Sequence, residues 1–378
     1  MHQDFQHLLQ EATLLTRRGD LMAATRAIQQ ALHQGGLDTG GDVIDVQARE
    51  VPDAELPALP APHLSEWSRV RDRQARPDPV VPPPAPQAPP EPGKGAFIHG
   101  RHGGANLAGR DYKLFIPPGA GSRPMPLVLM LHGCTQDPDD FAAGTRMNEL
   151  AQAQGFFVLY PAQSQRANPQ RCWNWFKSNH QGRGRGEPEL LAGMVRDVMA
   201  RHPIDPARVY VAGLSAGGAM AAIVAAAYPE LFAAVGVHSG LAPGAAQDVP
   251  SAFEAMKSGA ARKPRPLPVP TIVFHGDADT TVHPTNGRQV IAAAAGAGGT
   301  STASEELRAN GRRTATRQVH RDAAGAVAME HWTVHGSPHA WSGGSARGSY
   351  TDPQGPDASA EMLRFFFEHP RGTRPAAN

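Results

Sequence analysis

The stretch that most constrains the fold is residues 209–218, VYVAGLSAGG. The apolar run 209–212 predicts a strand, residues 213–217 (GLSAG) predict a sharp turn, and the alanine-rich residues after it predict a helix. At such a turn the serine sits in strained backbone geometry with its hydroxyl exposed, and glycines two residues to either side avoid a clash. The pattern predicts a nucleophile elbow with Ser215 as the nucleophile. The alternative is a glycine-softened turn with an idle serine.

Composition separates a proline-rich segment from the rest of the chain. Nine of the 36 prolines fall between Pro77 and Pro92, in a region with almost no large apolar residues. Such a segment cannot pack a core, so residues 35–94 are predicted to form an extended, disordered linker. The globular domain is expected over residues 95–370, followed by a disordered tail at 371–378.

The N-terminal residues 1–34 have a helical pattern of their own. Apolar residues recur at helical spacing from Phe5 to Leu15 and again from Leu21 to Leu32, with a break near Gly19. The pattern predicts an amphipathic helical hairpin that is too small to be stable alone. It is either an interaction element, for example one that docks on a granule or another protein, or a mere N-terminal decoration.

Charge and cysteine content narrow the function classes. The net charge is +1 with acids and bases mixed, which gives no reason to expect nucleic acid or an anionic membrane as partner. No segment reaches the roughly 18–20 apolar residues of a membrane span. The first ten residues lack the features of a secretory signal, which favours the cytoplasm. Cys134 and Cys172 are the only cysteines, so no disulfide framework exists, although a single bridge remains open.

From Gly95 onwards, apolar strands and helices alternate, which predicts a mostly parallel sheet covered by helices on both faces. Residues 182–186 and Gly296 to Thr302 are expected to be surface loops. The predicted strands are 112–116, 127–131, 156–160, 209–212, 233–237, 271–274 and 329–334, and the predicted helices are 140–154, 187–200, the one after Ser215, 285–295 and 359–368.

An acid is expected downstream of the nucleophile. In α/β-hydrolases the triad follows the order serine, acid, histidine, with each residue at the carboxyl end of a strand. The strand 271–274 is followed by HGDADTTV, in which Asp277 and Asp279 compete for the acid's role. Asp279 is favoured because a turn from Gly276 lets the chain reverse before the side chain is presented. Asp277 is expected to cap the turn.

The general base is expected in the loop after the next strand. Residues 329–334 are followed by HGSPHAWSGG, a loop that its glycines and proline can shape tightly. His339 lies several residues beyond the strand and is the predicted base, which would accept the proton of Ser215. His335 at the strand end and His331 within it are expected to be structural.

Acyl transfer also needs hydrogen-bond donors for the oxyanion. The strand 127–131 leads into His132-Gly133-Cys134, where Gly133 allows close approach of the backbone to a substrate. The backbone N–H groups of Cys134 and Ala216 are the predicted donors. Alternatively, Cys134 is a small buried core residue.

Five motifs follow one another along the chain: LHGCTQD at 131–137, RCWNWF at 171–176, GLSAGGAM at 213–220, HGDAD at 275–279 and HAWSGG at 339–344. Taken together, these motifs resemble the polyhydroxybutyrate depolymerase family of esterases, whose relatives include feruloyl and acetylxylan esterases. The resemblance spans about residues 95–368. It implies an α/β-hydrolase fold without metal or cofactor, the triad Ser215, Asp279 and His339, and hydrolysis of hydroxyalkanoate esters through an acyl-enzyme. The five motifs occur in the family's order.

The resemblance also implies features around the site. Trp173 and Trp175 would lie near the acyl pocket by analogy, as would Trp341 in the last motif, although Trp173 and Trp175 could equally be core aromatics. A Cys134–Cys172 bridge would pin the oxyanion loop. Many family members are secreted, so an extracellular location is the alternative to the cytoplasm.

Other functions compatible with the pattern remain. The expected partner is an ester substrate: a polyester, an oligomer or a small ester. A feruloyl or acetylxylan esterase and a prolyl-peptidase-like serine hydrolase would use the same triad. From a different class, a polyester-granule-associated binding protein would rely on the contact made by residues 1–34.

Overall fold

The computed structural model describes residues 93–103, 109–296, 301–307 and 313–372. The predicted helical hairpin at 1–34, the linker up to residue 92 and the tail from residue 373 lie outside these described residues. Within them, no helix is both long and apolar enough to cross a bilayer.

A ten-stranded sheet organises the described residues. Its strands are β1 (Ala96–His102), β2 (Arg110–Ile116), β3 (Met125–Leu131), β4 (Phe157–Pro161), β5 (Ile204–Leu214), β6 (Ala234–His238), β7 (Thr271–Gly276), β8 (Ser301–Leu307), β9 (Ala315–Arg321) and β10 (Val327–Val334). Their order across the sheet is β1-β2-β4-β3-β5-β6-β7-β10-β9-β8. The segment from β4 to β10 is parallel, while β1, β2, β8 and β9 add antiparallel edges.

Helices cover both faces of this sheet, and an apolar cluster fills each side. The helices are α1 (Pro138–Thr145), α2 (Met147–Gln154), α3 (Gly186–Arg201), α4 (Ala216–Ala227), α5 (Val249–Ser258), α6 (Thr285–Ala295) and α7 (Ala358–Glu368). Side chains from α3, α4, α5 and α6 join one cluster, and side chains from α1, α2 and α7 join the other. Strands buried on both faces read as continuous apolar runs, which is why β3 is apolar throughout and β6 is apolar up to its last residue, His238.

The parallel strands end at one edge of the sheet, and this positions the site. The residues that follow β3, β5, β6, β7 and β10 all leave the sheet at its carboxyl edge. Two further short strands, β11 (Trp341–Ser342) and β12 (Thr351–Asp352), pair with each other after β10. The α/β-hydrolase architecture, a mostly parallel sheet flanked by helices, is therefore confirmed.

Some elements differ from the prediction. The single helix expected at 140–154 is two helices, because Arg146 adopts a left-handed conformation with φ 57° and ends α1. Ser301 and Thr302 belong to strand β8 and not to a loop; β8 is polar and exposed along most of its length, so it has no apolar pattern. Strands β1 and β9 and helix α5 were not predicted.

Candidate active site

Ser215 occupies a strained turn between β5 and α4. Its φ of 58° and ψ of −120° lie in a region that costs a residue with a Cβ about 1–3 kcal/mol. The backbone N–H of Ser215 donates to the carbonyl of His238 at 2.9 Å, which ties the turn to the neighbouring strand β6. The predicted strand, turn and helix are thus all present at 209–218.

The glycines around Ser215 are needed because the backbone crosses itself closely there. A Cβ on Gly217 would lie 2.0 Å from the carbonyl oxygen of Leu131, and one on Gly213 would lie 2.4 Å from the backbone of Gly217. Real Cβ atoms essentially never come within 3.0 Å of another heavy atom. The GxSxG spacing is therefore a steric requirement of this turn.

Asp279 and His339 come together at the same edge of the sheet. His339 Nδ1 lies 2.7 Å from Asp279 Oδ2. Asp279 Oδ1 accepts the backbone N–H groups of Thr281 at 2.9 Å and Val282 at 2.8 Å, which fixes the carboxylate. Because Nδ1 carries the proton donated to this carboxylate, Nε2 of His339 is left to accept one.

The electrostatics of this pair favour an ionised acid. Burial of the Asp279 carboxyl opposes its ionisation, but hydrogen bonds from His275 and His339 outweigh that effect and hold its pKa well below the usual range. The side chain of Asp279 has no exposed surface, whereas that of His339 keeps 12%. An ionised carboxylate beside a histidine stabilises the imidazolium form of that histidine.

Asp277, the competing acid, forms a second pair. Its Oδ2 lies 2.8 Å from Nδ1 of His335, and its Oδ1 accepts the backbone N–H of Gly336 at 2.6 Å. Both side chains of this pair are about 40% exposed, at 41% and 38%. His331, the third candidate base, lies buried in strand β10.

The loop after β3 approaches the elbow. A Cβ on Gly133 would lie 3.7 Å from Cβ of Ser215. The N–H of Gly133 donates to Oε1 of Gln136 at 2.9 Å, whereas that of Cys134 meets no acceptor in the described part of the chain. The N–H of Ala216, at the first position of α4, has no acceptor within its own helix. Two backbone donors thus remain beside Ser215.

A disulfide joins Cys134 to Cys172, with an S–S distance of 2.03 Å. It ties the loop after β3 to the segment that contains Trp173 and Trp175. The closed loop spans a sequence separation of 38 residues.

The three tryptophans are nearly inaccessible, with 5% exposure or less. The indole N–H of Trp173 donates to the carbonyl of His132 at 3.1 Å, and that of Trp341 donates to Ser359 Oγ at 3.0 Å. Trp341 also stacks on His238, with 5.0 Å between ring centroids. They support the elements that carry the site, and their role in a substrate pocket stays a prediction.

Two histidines beside the site were missed by sequence reasoning. His238 Nε2 accepts the N–H of Ser342 at 2.9 Å, and His132 Nε2 accepts the N–H of Gln163 at 3.1 Å. Burial lowers their pKa values, to about 3 and about 4 respectively, so both stay neutral near neutral pH. A histidine at or just after the end of an apolar strand was the available signal.

A third missed residue, His275, lies behind the acid. Its Nε2 is 2.8 Å from the carbonyl of Val282 and 3.5 Å from Oδ2 of Asp279, and its side chain is 1% exposed. Asp279 is thus flanked by two histidines. Among the described residues, no group of three or more His, Cys, Asp or Glu side chains is arranged to hold a metal ion.

Comparison with known proteins identifies the family. Residues 110–319 match the family model described as Esterase PHB depolymerase, and this is more than half of the 378-residue chain. The chain belongs to this family. The resemblance read from the motifs is thereby confirmed.

Curated proteins with different names are similar to part of this chain. It is 37% identical over 180 residues to poly(3-hydroxyalkanoate) depolymerase C of Paucimonas lemoignei, covering 44% of this chain and 43% of that protein. It is 29% identical over 206 residues to a probable acetylxylan esterase A of Neosartorya fischeri, covering 48% and 54%. The chain thus spans about half the length of these curated relatives.

Among solved structures, the acetyl xylan esterase from Aspergillus awamori has a similar fold. The TM-score is 0.52 at 20% sequence identity, and the match covers 72% of this chain and 100% of that one. At this identity the likeness concerns the fold alone.

Proposed function

We propose that this protein is a serine carboxylic ester hydrolase that works through an acyl-enzyme. Ser215 is the nucleophile, His339 the general base and Asp279 the acid that orients the base. The observation that carries the proposal is the buried Asp279–His339 pair, 2.7 Å apart, at the sheet edge where the strained Ser215 leaves β5. Family membership supports it independently.

In the first half of the reaction, Ser215 Oγ attacks the ester carbonyl while His339 Nε2 takes the hydroxyl proton. Within the described residues, the Ser215 hydroxyl makes no hydrogen bond, and such bonds often tighten only when substrate is present. The resulting oxyanion is stabilised by the N–H groups of Cys134 and Ala216. His339 then donates its proton to the leaving alkoxide, and the acyl group stays on Ser215.

In the second half, water replaces the alcohol. His339 Nε2 takes a proton from this water, whose oxygen attacks the acyl carbonyl. Collapse of the tetrahedral intermediate breaks the bond to Ser215 Oγ, which recovers its proton from His339. The products are a carboxylic acid and an alcohol, and the ionised Asp279 stabilises the imidazolium in both halves.

For the substrate we propose hydroxyalkanoate esters of the polyhydroxybutyrate type. The support comes from the family model and from the similarity to a poly(3-hydroxyalkanoate) depolymerase. Similarity to an acetylxylan esterase and to feruloyl esterase B of Neurospora crassa, 32% identical over 140 residues, makes feruloyl and acetyl esters the second candidate.

The test compares Ser215→Ala with Ser239→Ala on p-nitrophenyl butyrate. Ser239 is a matched control because it also follows a parallel strand at the same edge and has a positive φ of 48°. Ser215→Ala is expected to lose about 10⁴–10⁶ in rate, and Ser239→Ala to keep most of its activity. Unchanged hydrolysis by Ser215→Ala would overturn the proposal.

Two further measurements separate the alternatives. Mass spectrometry after fluorophosphonate treatment should find the adduct on the peptide that contains Ser215. A panel of hydroxybutyrate trimer, methyl ferulate, acetylxylan and peptide anilides then ranks the substrates. Cleavage of the anilides without ester hydrolysis would assign the site to a peptidase.

We further propose that residues 95–370 act as the catalytic domain and that residues 1–34 contribute contact with a granule or partner protein. Deleting residues 1–94 should leave soluble-ester hydrolysis intact and abolish association with polyester granules. Loss of neither property would remove the docking role.

The Cys134–Cys172 bridge favours an oxidising compartment, and hence the extracellular alternative, because reducing cytoplasm keeps thiols free. Alkylation of the protein isolated from its natural host under non-reducing conditions tests this. Two modified cysteines would restore the cytoplasmic assignment.

A further inference from the structure

A cavity of about 570 Å³ opens at the carboxyl edge of the sheet, on the far side of β3 from Ser215. Its walls include the start of β2, residues 162–166 just after β4, and Asp137 in the loop after β3. That loop also carries Gly133, which lies beside Ser215. The cavity and the elbow therefore share one loop.

The cavity contains a buried arginine, Arg110, that bonds no carboxylate among the described residues. Arg110 is 9% exposed, and its one side-chain hydrogen bond in the described structure runs from Nη1 to the amide oxygen of Gln163, at 2.5 Å. Its Nε is buried without any partner. Arginine remains charged in proteins, and a buried charge is costly unless an opposite charge compensates it.

The acidic residues of the cavity form no direct bond with Arg110, because each bonds another cation. The charges of Glu187 and Asp111 offset only part of the effect of burial, which lowers the pKa of Arg110. Asp111 pairs with Arg101 at 2.6 Å. Asp137 pairs with Arg171 at 3.4 Å.

The third aspartate of the cavity, Asp139, also bonds another cation, because it pairs with Lys113 at 2.5 Å. Arg166 also lines the cavity and forms no ion pair with any described residue. The cavity therefore holds two cationic side chains, Arg110 and Arg166, that lack a bonded acid.

We propose that this cavity binds the free carboxylate of a short hydroxyalkanoate oligomer whose scissile ester lies at Ser215. The inference rests on the proposed function and narrows its substrate class to acid-terminated oligomers. Arg110 supplies the buried cation and Arg166 the exposed one. Guanidinium groups match the planar geometry of a carboxylate and form charge-assisted hydrogen bonds with it.

The spacing of the strands agrees with an oligomer of about three units. Strand β4 lies two positions from β5, and neighbouring strands are about 4.8 Å apart, so the cavity lies roughly 10 Å from the elbow. An extended peptide residue has three backbone atoms and advances about 3.3–3.6 Å. A hydroxybutyrate unit has four backbone atoms and therefore advances about 4.5 Å on the same scale. Two units therefore span about 9 Å.

The experiment compares 3-hydroxybutyrate trimer as the free acid with its methyl ester. We expect the wild type to have a kcat/KM at least about tenfold higher for the acid, which is the range of one charge-assisted hydrogen bond. Arg110→Gln should lose that preference. Arg166→Gln, at an exposed position, should reduce the preference for the acid about twofold to fivefold. Added salt should weaken this preference further.

Controls distinguish a lost carboxylate contact from general damage. Both variants should hydrolyse the methyl ester and p-nitrophenyl butyrate within about twofold of the wild type. Arg201→Gln, at the end of α3 and far from the carboxyl edge, should leave all three rates unchanged. If Arg110→Gln fails to fold, Arg166→Gln carries the test alone.

Equal kcat/KM values for acid and methyl ester in the wild type would overturn the proposal, as would equal losses on both substrates in the variants. Calorimetric titration of Ser215→Ala with the free-acid trimer provides a readout independent of hydrolysis. If the trimer binds in an Arg110-dependent way but the wild type hydrolyses no ester, the proposed function is rejected and this binding site is kept. Ester hydrolysis without such binding would do the reverse.

Discussion

Two aspartate–histidine pairs join the same two loops, with the aspartates two residues apart and the histidines four, and their hydrogen bonds are almost equal in length. Asp279–His339 measures 2.7 Å and Asp277–His335 measures 2.8 Å. Their surroundings differ. The Asp279 side chain has no exposed surface, whereas that of Asp277 is 41% exposed.

The comparison shows that contact between an acid and a base does not by itself identify a catalytic pair. An acid–base pair exposed to water contributes little to the free energy of folding, because solvent screens the charges and the side chains lose entropy. In the buried pair, two backbone N–H groups fix the carboxylate and His275 lies behind it. A fixed and ionised acid is what a general base requires.

The largest difference is expected between the two histidines. His339→Ala should lower kcat for p-nitrophenyl butyrate by about 10⁴–10⁶ because the proton acceptor is lost. His335→Ala should remain within about threefold of the wild type. A reversal of the two results would move the general base to the exposed pair.

The acids should differ by a similar but smaller factor. Asp279→Asn should reduce kcat by about 10⁴, because an amide in that place favours the wrong tautomer of His339. Asp277→Asn should change kcat by less than about threefold. Steady-state kinetics at neutral pH measure both variants, and comparable losses would show that both acids serve the reaction.

A moderate effect is expected from the histidine behind the buried acid. His275→Gln should lower kcat by about tenfold and leave KM nearly unchanged, since a small displacement of the acid misaligns His339. The matched control is His331→Gln, which replaces a buried histidine that makes no hydrogen bond to Asp279. If the control loses as much activity as His275→Gln, the loss reflects packing and not the position of the acid.

The smallest effect concerns stability against pH. The pKa of Asp279 is lowered in the folded protein, so its stabilising contribution is complete above the unfolded pKa of about 3.9 and is lost as pH falls toward the folded value. Urea unfolding between about pH 3 and pH 6 should therefore show a shallower pH dependence for Asp279→Asn than for the wild type.

The exposed acid provides the comparison. Hydrogen bonds from His335 and Gly336 outweigh burial and also lower the pKa of Asp277, so the sign is the same. Solvent screening limits the change in the free energy of unfolding for Asp277→Asn to about 1 kcal/mol or less. A steeper pH dependence in either variant would contradict the assigned direction.

Much of the fold was predictable because its central strands are buried on both faces. The predicted runs 112–116, 127–131 and 271–274 lie within β2, β3 and β7. Strand β8 was missed because it is polar and exposed at the edge of the sheet, so its partner β9 and not its own composition makes it a strand. The break at Arg146 was missed because the left-handed residue is an arginine, while the nearby Gly144 lies within α1.

The features of the site likewise fall into those that the sequence predicts and those that depend on tertiary structure. The sequence by itself determined the elbow, since Gly213 and Gly217 are the residues that such a tight crossing of the backbone allows. It also predicted an order of nucleophile, acid and base along the chain. Only the tertiary structure decided that Asp279 meets His339 while Asp277 meets His335, and that Arg110 is buried without a bonded acid among the described residues. Burial and pairing depend on what packs around a side chain, and that information lies in distant parts of the chain.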